Sequence, residues 1–187
     1  MMKSVLIAIR PQWCEKIASG EKTIEVRKTA PQEVPFKAYI YCTIGNGVKG
    51  DYLVPSGIQC GKVIGEFICD RIEMVNSKCS DYGIDLFYHD CLTNGCLTER
   101  EIEKYFNVPE DRDLRAMKGN GYVWDISDLK IYDKPKELSE FCIPCKVSCE
   151  NCKNPLYFEC WCEEKGKKIV TRPPLSWCYV EDLGEEK

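Results

Sequence analysis

Histidine is nearly absent: His89 is the single one in 187 residues. It lies in a stretch without clear periodicity, so it offers no partner set for a Ser-His-Asp nucleophilic site and reads as a structural or exposed residue. No apolar run approaches the roughly 18 residues that a membrane span requires. The opening stretch Met1 to Arg10 has one Lys and no small-residue cleavage site, so it reads as a first strand and not as a secretory signal. No Gly-rich phosphate loop follows a predicted strand, which speaks against nucleoside triphosphate and dinucleotide sites. Basic residues are not in excess either, with 26 Lys and Arg against 30 Asp and Glu and a net charge of −4. A broad basic track for long nucleic acid is thereby disfavoured, whereas one small, locally basic site is compatible with the balance. Internal repeats and low-complexity segments are missing as well. These absences predict a cytoplasmic protein with no membrane partner. The length and the 44% apolar content predict one domain with a sizeable core.

Cysteine is what the sequence has in abundance, with 14 residues. In a reducing compartment they are core residues, metal ligands or redox groups before they are a disulfide framework. Eight are scattered, Cys14, Cys42, Cys60, Cys69, Cys79, Cys91, Cys96 and Cys178, mostly inside apolar patterns where a thiol acts as a small hydrophobe. The other six fall close together as Cys142-x-x-Cys145, Cys149-x-x-Cys152 and Cys160-x-Cys162. A two-residue gap lets both thiolates reach one tetrahedral zinc at about 2.3 Å. Only three residues separate the two CxxC pairs, shorter than in a zinc ribbon, so one compact site or two paired knuckles both fit. Six ligands cannot serve a single four-coordinate ion. The expectation is an insert over residues 142–168 that holds a structural zinc through Cys145, Cys149, Cys152 and Cys160. Disulfides, free thiols or an Fe–S cluster are the alternatives. Such an insert would present Lys165, Lys167, Lys168 and Arg172, or would serve as a protein-interaction module.

Local patterns supply the elements. Pro11 to Ser19 predicts a short helix, with Pro in its first turn, Trp13 and Ile17 on one face and Gly20 as a left-handed stop. In Lys22 to Lys28 the alternation sends Ile24 and Val26 to a core and Thr23, Glu25 and Arg27 to the opposite face. Phe36 to Thr43 alternates as a strand, and residues 61–75 read as one long strand in which Gly65 permits a bend. Residues 76–96 read as irregular. Thr98-Glu99-Arg100-Glu101 is a capping box that starts a helix over 99–106. Strand segments follow at 122–126 and 129–132, Pro135 opens a helical stretch toward Phe141, and 177–180 forms a closing strand. Many short strands with short helices between them predict a mainly β, α+β architecture, a small mixed barrel.

The run from Trp13 to Arg27 resembles the ASCH domain signature, Gly-x-Lys-x-x-Glu-x-Arg after a short helix, with Gly20, Lys22, Glu25 and Arg27 at the four motif positions. Gly61 to Phe67, Gly121-Tyr122-Val123-Trp124 and Arg172-Pro173-Pro174-Leu175-Ser176-Trp177 are similar to one subgroup of these proteins. The resemblance covers about residues 3–135 and 170–182. It implies a PUA-like pseudobarrel with a cleft at the motif and a ligand that is RNA or a modified nucleoside. Lys22 and Arg27 suit phosphate or a carbonyl edge, and Glu25 can accept from an exocyclic amine. Trp13 and Trp124, with Tyr122 or Trp177, are candidate stacking surfaces. Some small relatives are amidohydrolases that act on an acetylated cytidine, which makes Lys22 and Glu25 the candidate catalytic pair. Those enzymes carry Thr where Glu25 stands, and Glu66, Glu73, Glu99 and Glu101 are all candidates for their further Glu.

Overall fold

The computed structural model describes residues 2–44, 52–53, 57–109, 114–144 and 168–182. In chain order the elements are β1 (Lys3–Ile9), α1 (Pro11–Ala18), β2 (Ile24–Arg27), β3 (Phe36–Cys42), β4 (Tyr52–Leu53), β5 (Gln59–Cys60), β6 (Val63–Cys69), β7 (Ile72–Asn76), α2 (Asp81–Thr93), α3 (Glu99–Phe106), β8 (Asn120–Asp125), β9 (Ser127–Lys136), β10 (Phe141–Ile143), β11 (Lys168–Ile169) and β12 (Trp177–Asp182). No helix among the described residues is long and apolar enough to cross a membrane.

Seven strands form one sheet in the order β11-β10-β12-β1-β3-β6-β9, and β2-β8-β7 form a second. β1 pairs parallel with β3 and antiparallel with β12, so the closing strand expected at 177–180 does reach the first one. The sheets stack in layers. Val5, Ile7, Phe36, Ala38, Ile40 and Phe67 from the large sheet meet Trp124 of the small one in the main core. The far face of the small sheet, through Ile24, Val26, Val75 and Val123, packs on Ile84, Phe87, Ile102 and Phe106 of α2 and α3. The other face of the large sheet, with Leu6 and Tyr39, is covered by Phe141 and Val170. Phe36 to Cys42 is therefore buried on both faces and has no outward side. Two-sided burial favours the aromatic and β-branched residues found there.

The mixed α+β class is as expected; among the described residues the large sheet is open, with β11 and β9 at its edges, and stacks on the second sheet without closing into a barrel. Part of the reason is at Asp70-Arg71. Residues 61–75 are not one strand: β6 ends at Cys69, two exposed charged residues interrupt the alternation, and β7 continues in the other sheet. Arg71 anchors that crossover by pairing with Asp125 at 2.8 Å. Gly65 does sit at an irregularity, where β6 slips register against β9 and a Cβ would lie 2.5 Å from the Lys130 carbonyl.

Residues 76–96 are not irregular either. They hold the 13-residue helix α2, whose N-terminal Ser80 side chain accepts a hydrogen bond from the Gly83 amide, and His89 lies on its exposed side. Tyr82 and Leu86 are exposed on this helix, which blurs the periodicity of its buried Ile84, Phe87 and Cys91. Pro135 belongs to β9, and only Leu138–Glu140 make a helical turn. An edge strand tolerates a proline because it loses no ladder bond on its open side. The helix α1, with Gly20 at φ +80°, and the capping box of α3 form as expected.

Candidate functional site

Lys22, Glu25 and Arg27 come together, and all three are buried, at 3%, 6% and 9% exposure. Their position follows from the register. Glu25 is the cross-strand partner of Trp124 and Arg27 of Tyr122, so the charged face of β2 points at the large sheet and not at solvent. Lys22 precedes the strand at a junction of three elements. Its backbone amide bonds the Lys16 carbonyl of α1, and the amides of Thr23 and Ile24 both bond the Asn94 carbonyl after α2.

The side chains form a chain of charge. Arg27 Nη2 donates to Glu25 Oε1 at 2.9 Å and to the Ala8 carbonyl of β1 at 2.8 Å, tying the small sheet to the large one. Lys22 Nζ lies 3.5 Å from Glu25 Oε2 and donates to the Gly95 carbonyl at 2.8 Å. That carbonyl follows the C-terminal end of α2, where the helix dipole favours a cation. Trp13 of α1, half-buried, has its ring 5.5 Å from Lys22 Nζ, a cation–π distance. Tyr105 lies on the far side of the cluster. Burial pushes its hydroxyl up, with Arg27 opposing and Glu25 adding to the rise. Burial likewise pushes the Cys91 thiol up to about 12, with Lys22 pulling the other way.

Two features make this cluster unlike an ordinary ion pair. It contains two cations and one anion, so one positive charge is left over in a buried place. In addition, Glu25 Oε2 and Arg27 Nε are buried without a hydrogen bond among the described residues, and so is Trp124 Nε1. Buried polar atoms in folded proteins are nearly always satisfied, by protein or by water.

The remaining candidates are placed differently. Trp124 is fully buried, edge-on to Phe36 at 5.2 Å and to Trp177 at 5.8 Å, so it backs the cluster from within the core and turns no face to a cleft. Trp177 donates its indole N–H to Thr29 at 3.0 Å, and Tyr122 packs against the main core. Glu66 is engaged with Lys37 and Tyr132, Glu73 with Arg71, and Glu101 with the α3 cap, while Glu99 is exposed in the first turn of α3. Cys145, Cys149, Cys152, Cys160 and Cys162 lie outside the described residues, as do Lys165 and Lys167. Cys142 is buried in β10, with its sulfur 3.8 Å from a Glu181 carboxylate oxygen. Lys168 and Arg172 are exposed.

The Gly95 and Ala8 carbonyls that hold the two cations were not foreseeable from the motif. The Asn94-Gly95 pair is a helix-stop signal, legible only once α2 is recognised. A Cβ at Gly95 would lie 2.6 Å from the Cys91 carbonyl, so a glycine is needed for the chain to pass there.

Neither any family model nor any curated protein matches the chain. Among solved structures, the chain is similar to the crystal structure of ASCH from Zymomonas mobilis, with a TM-score of 0.55 and 17% identity over 96% of this chain and 88% of that one. Two single-residue mutant proteins of that ASCH match with TM-scores of 0.57 and 0.55 at 16% identity, over 96% of this chain and 89% and 91% of theirs. The chain therefore has the fold of these ASCH structures.

Proposed function

We propose that this chain binds a nucleoside or an RNA nucleotide through Lys22, Glu25 and Arg27, with Trp13 as the adjoining ring. The observation that carries this reading is the surplus positive charge of a buried cluster in which Glu25 Oε2 and Arg27 Nε lack hydrogen bonds among the described residues, on a fold shared with ASCH structures. Burying ionic groups brings a fold little net stability, so a cluster left short of one anion and two hydrogen bonds is better suited to a ligand than to packing. Arg27 Nε can donate to a carbonyl or phosphate oxygen, Glu25 Oε2 can accept from an exocyclic amine, and Lys22 adds charge. Because the groups are covered, a ligand reaches them by displacing that cover, and on the Lys22 side the cover includes the Trp13 ring.

Titration calorimetry with a panel of modified nucleosides and short single-stranded RNAs tests this. Binding by the wild type that weakens at least about tenfold, about 1.4 kcal/mol, in Lys22→Met and in Arg27→Lys is the expected result. A panel without any binding overturns the reading. The 3.5 Å between Lys22 Nζ and Glu25 Oε2 favours a second reading, hydrolysis of an acylated nucleoside, in which Glu25 takes the proton that Lys22 must lose before it acts as a base or nucleophile. Chromatography of the same incubations separates the two, since only hydrolysis releases the acid and the deacylated nucleoside.

The insert over 142–168 is proposed, on its CxxC spacing, to hold a structural zinc through Cys145, Cys149, Cys152 and Cys160. Metal analysis of the reduced protein should find about one zinc per chain, and less than about 0.2 overturns a tight site.

A further inference from the structure

Three of the eight cysteines that look scattered in the sequence meet inside the main core. Cys14 of α1, Cys42 at the end of β3 and Cys60 of β5 are each fully buried in one cluster with Ile64. The sulfurs of Cys42 and Cys60 lie 3.5 Å apart, and the backbone between them is clamped, with the Gly61 amide donating to the Cys42 carbonyl at 2.7 Å and the Cys42 amide to the Lys62 carbonyl at 2.9 Å. Cys14, whose thiol donates to the Ile9 carbonyl at 3.7 Å, is buried in the same cluster. A cavity of about 560 Å³ reaches Ile64 of this cluster, with Glu15 and Gln59 also in its lining, and none of the three cysteines lines it.

We infer that Cys42 and Cys60 are a redox-active dithiol, which hydrogen peroxide converts to a disulfide joining β3 to β5. The proposal does not rest on the nucleoside reading, although Glu25 of the charged cluster is close enough to raise the Cys14 thiol. The three neighbouring thiols are not equivalent. The neighbouring Cys14 first, and Cys60 as well, lower the Cys42 thiol from its ordinary range against the opposing effect of burial. Burial pushes Cys60 up to about 12, and the neighbouring Cys42 first and burial second raise the Cys14 thiol. Cys42, whose thiol is the lowered one, is thus the attacking group, and Cys60, 3.5 Å away, resolves.

The chemistry balances with the peroxide as the sole oxidant. The Cys42 thiolate attacks one peroxide oxygen, the O–O bond breaks, and Cys42 becomes a sulfenic acid as hydroxide leaves and takes up the proton released on ionising Cys42. The Cys60 sulfur then attacks the sulfenic sulfur, an S–S bond forms, and the sulfenic hydroxyl departs with the Cys60 proton as water. Two thiols are oxidised and one hydrogen peroxide is reduced to two waters.

Trypsin separates the three thiols onto peptides 4–16, 38–49 and 50–62. The experiment treats the full-length reduced protein with hydrogen peroxide, quenches it in acid denaturant with an alkylating agent, and maps the unreduced digest by mass spectrometry. The expected result is peptide 38–49 linked to 50–62 with the loss of two hydrogens, reversed by dithiothreitol. In Cys60→Ala the link should vanish and Cys42 should accumulate as a sulfenic acid that a dimedone probe captures. Recovery of both wild-type thiols in alkylated form, or a Cys42 linked to any other cysteine, overturns the inference.

Discussion

β2 presents two faces of opposite chemistry, and both are buried to the same depth. Ile24 and Val26 are 5% and 7% exposed, Glu25 and Arg27 are 6% and 9%. The apolar face meets α2 and α3 with nothing left to satisfy, so its burial contributes stability directly, on the order of 25 cal/mol per Å² of apolar surface. The charged face meets the large sheet and ends short of two hydrogen bonds and of one negative charge. Equal burial therefore does not mean equal purpose: one side of the strand holds the fold together, and the other is tolerated by it. A surface pair of the same residues would matter little in either respect.

That contrast can be broken deliberately. Glu25→Ala should have the largest effect, a loss of about 3–5 kcal/mol in chemical denaturation, because it strands Lys22 and Arg27 as unpaired buried cations. A loss below about 1 kcal/mol would show that both cations find solvent. On the apolar face, Ile24→Ala should cost about 3 kcal/mol through lost burial and the cavity left behind, measured in the same way. Gly121→Ala tests the closeness of that packing, since its Cβ would lie 2.7 Å from the ring tip of Phe87 and 3.1 Å from Phe106. It should cost about 2 kcal/mol by overpacking, visible as a lowered melting temperature. Thr98→Ala removes the capping box of α3, which supports the apolar face from behind, and should cost about 1 kcal/mol in thermal denaturation.

Lys22→Met should change stability least, within about 1 kcal/mol, because it removes the surplus charge while keeping the length and apolar stem of the side chain. The same variant should lose ligand binding in calorimetry. If it instead unfolds as readily as Glu25→Ala, the lysine is a structural counterion and the two faces serve one purpose.

How far the sequence could be read depended on the range of the forces involved. Gly20 as a stop for α1 and Thr98 with Glu101 as the cap of α3 are local devices, legible because their partners are within four residues. The three charged residues were named by the resemblance to the ASCH signature, since the alternation alone says only that Glu25 and Arg27 share the face opposite Ile24 and Val26. Helix α2 was missed because apolar Tyr82 and Leu86 on its exposed face hide the period of the buried one. The 61–75 run misled because alternation is the same in one strand as in two, and only Asp70-Arg71 marks the passage between sheets. Trp124 could not be told apart from a stacking surface by its type, since a tryptophan in a core and one in a cleft carry the same apolar area.

By itself the sequence determined the local pieces: the helix caps, the pairing of charged and apolar faces on β2, and the abundance of thiols. The tertiary structure alone decided that the charged face would be buried, that Gly95 and Ala8 would hold its two cations, and that Cys14, Cys42 and Cys60 would meet. Those outcomes depend on contacts between residues 18 to 73 positions apart. Their strength comes from the dry, close surroundings that only the packed sheets supply, and no periodicity along the chain encodes them.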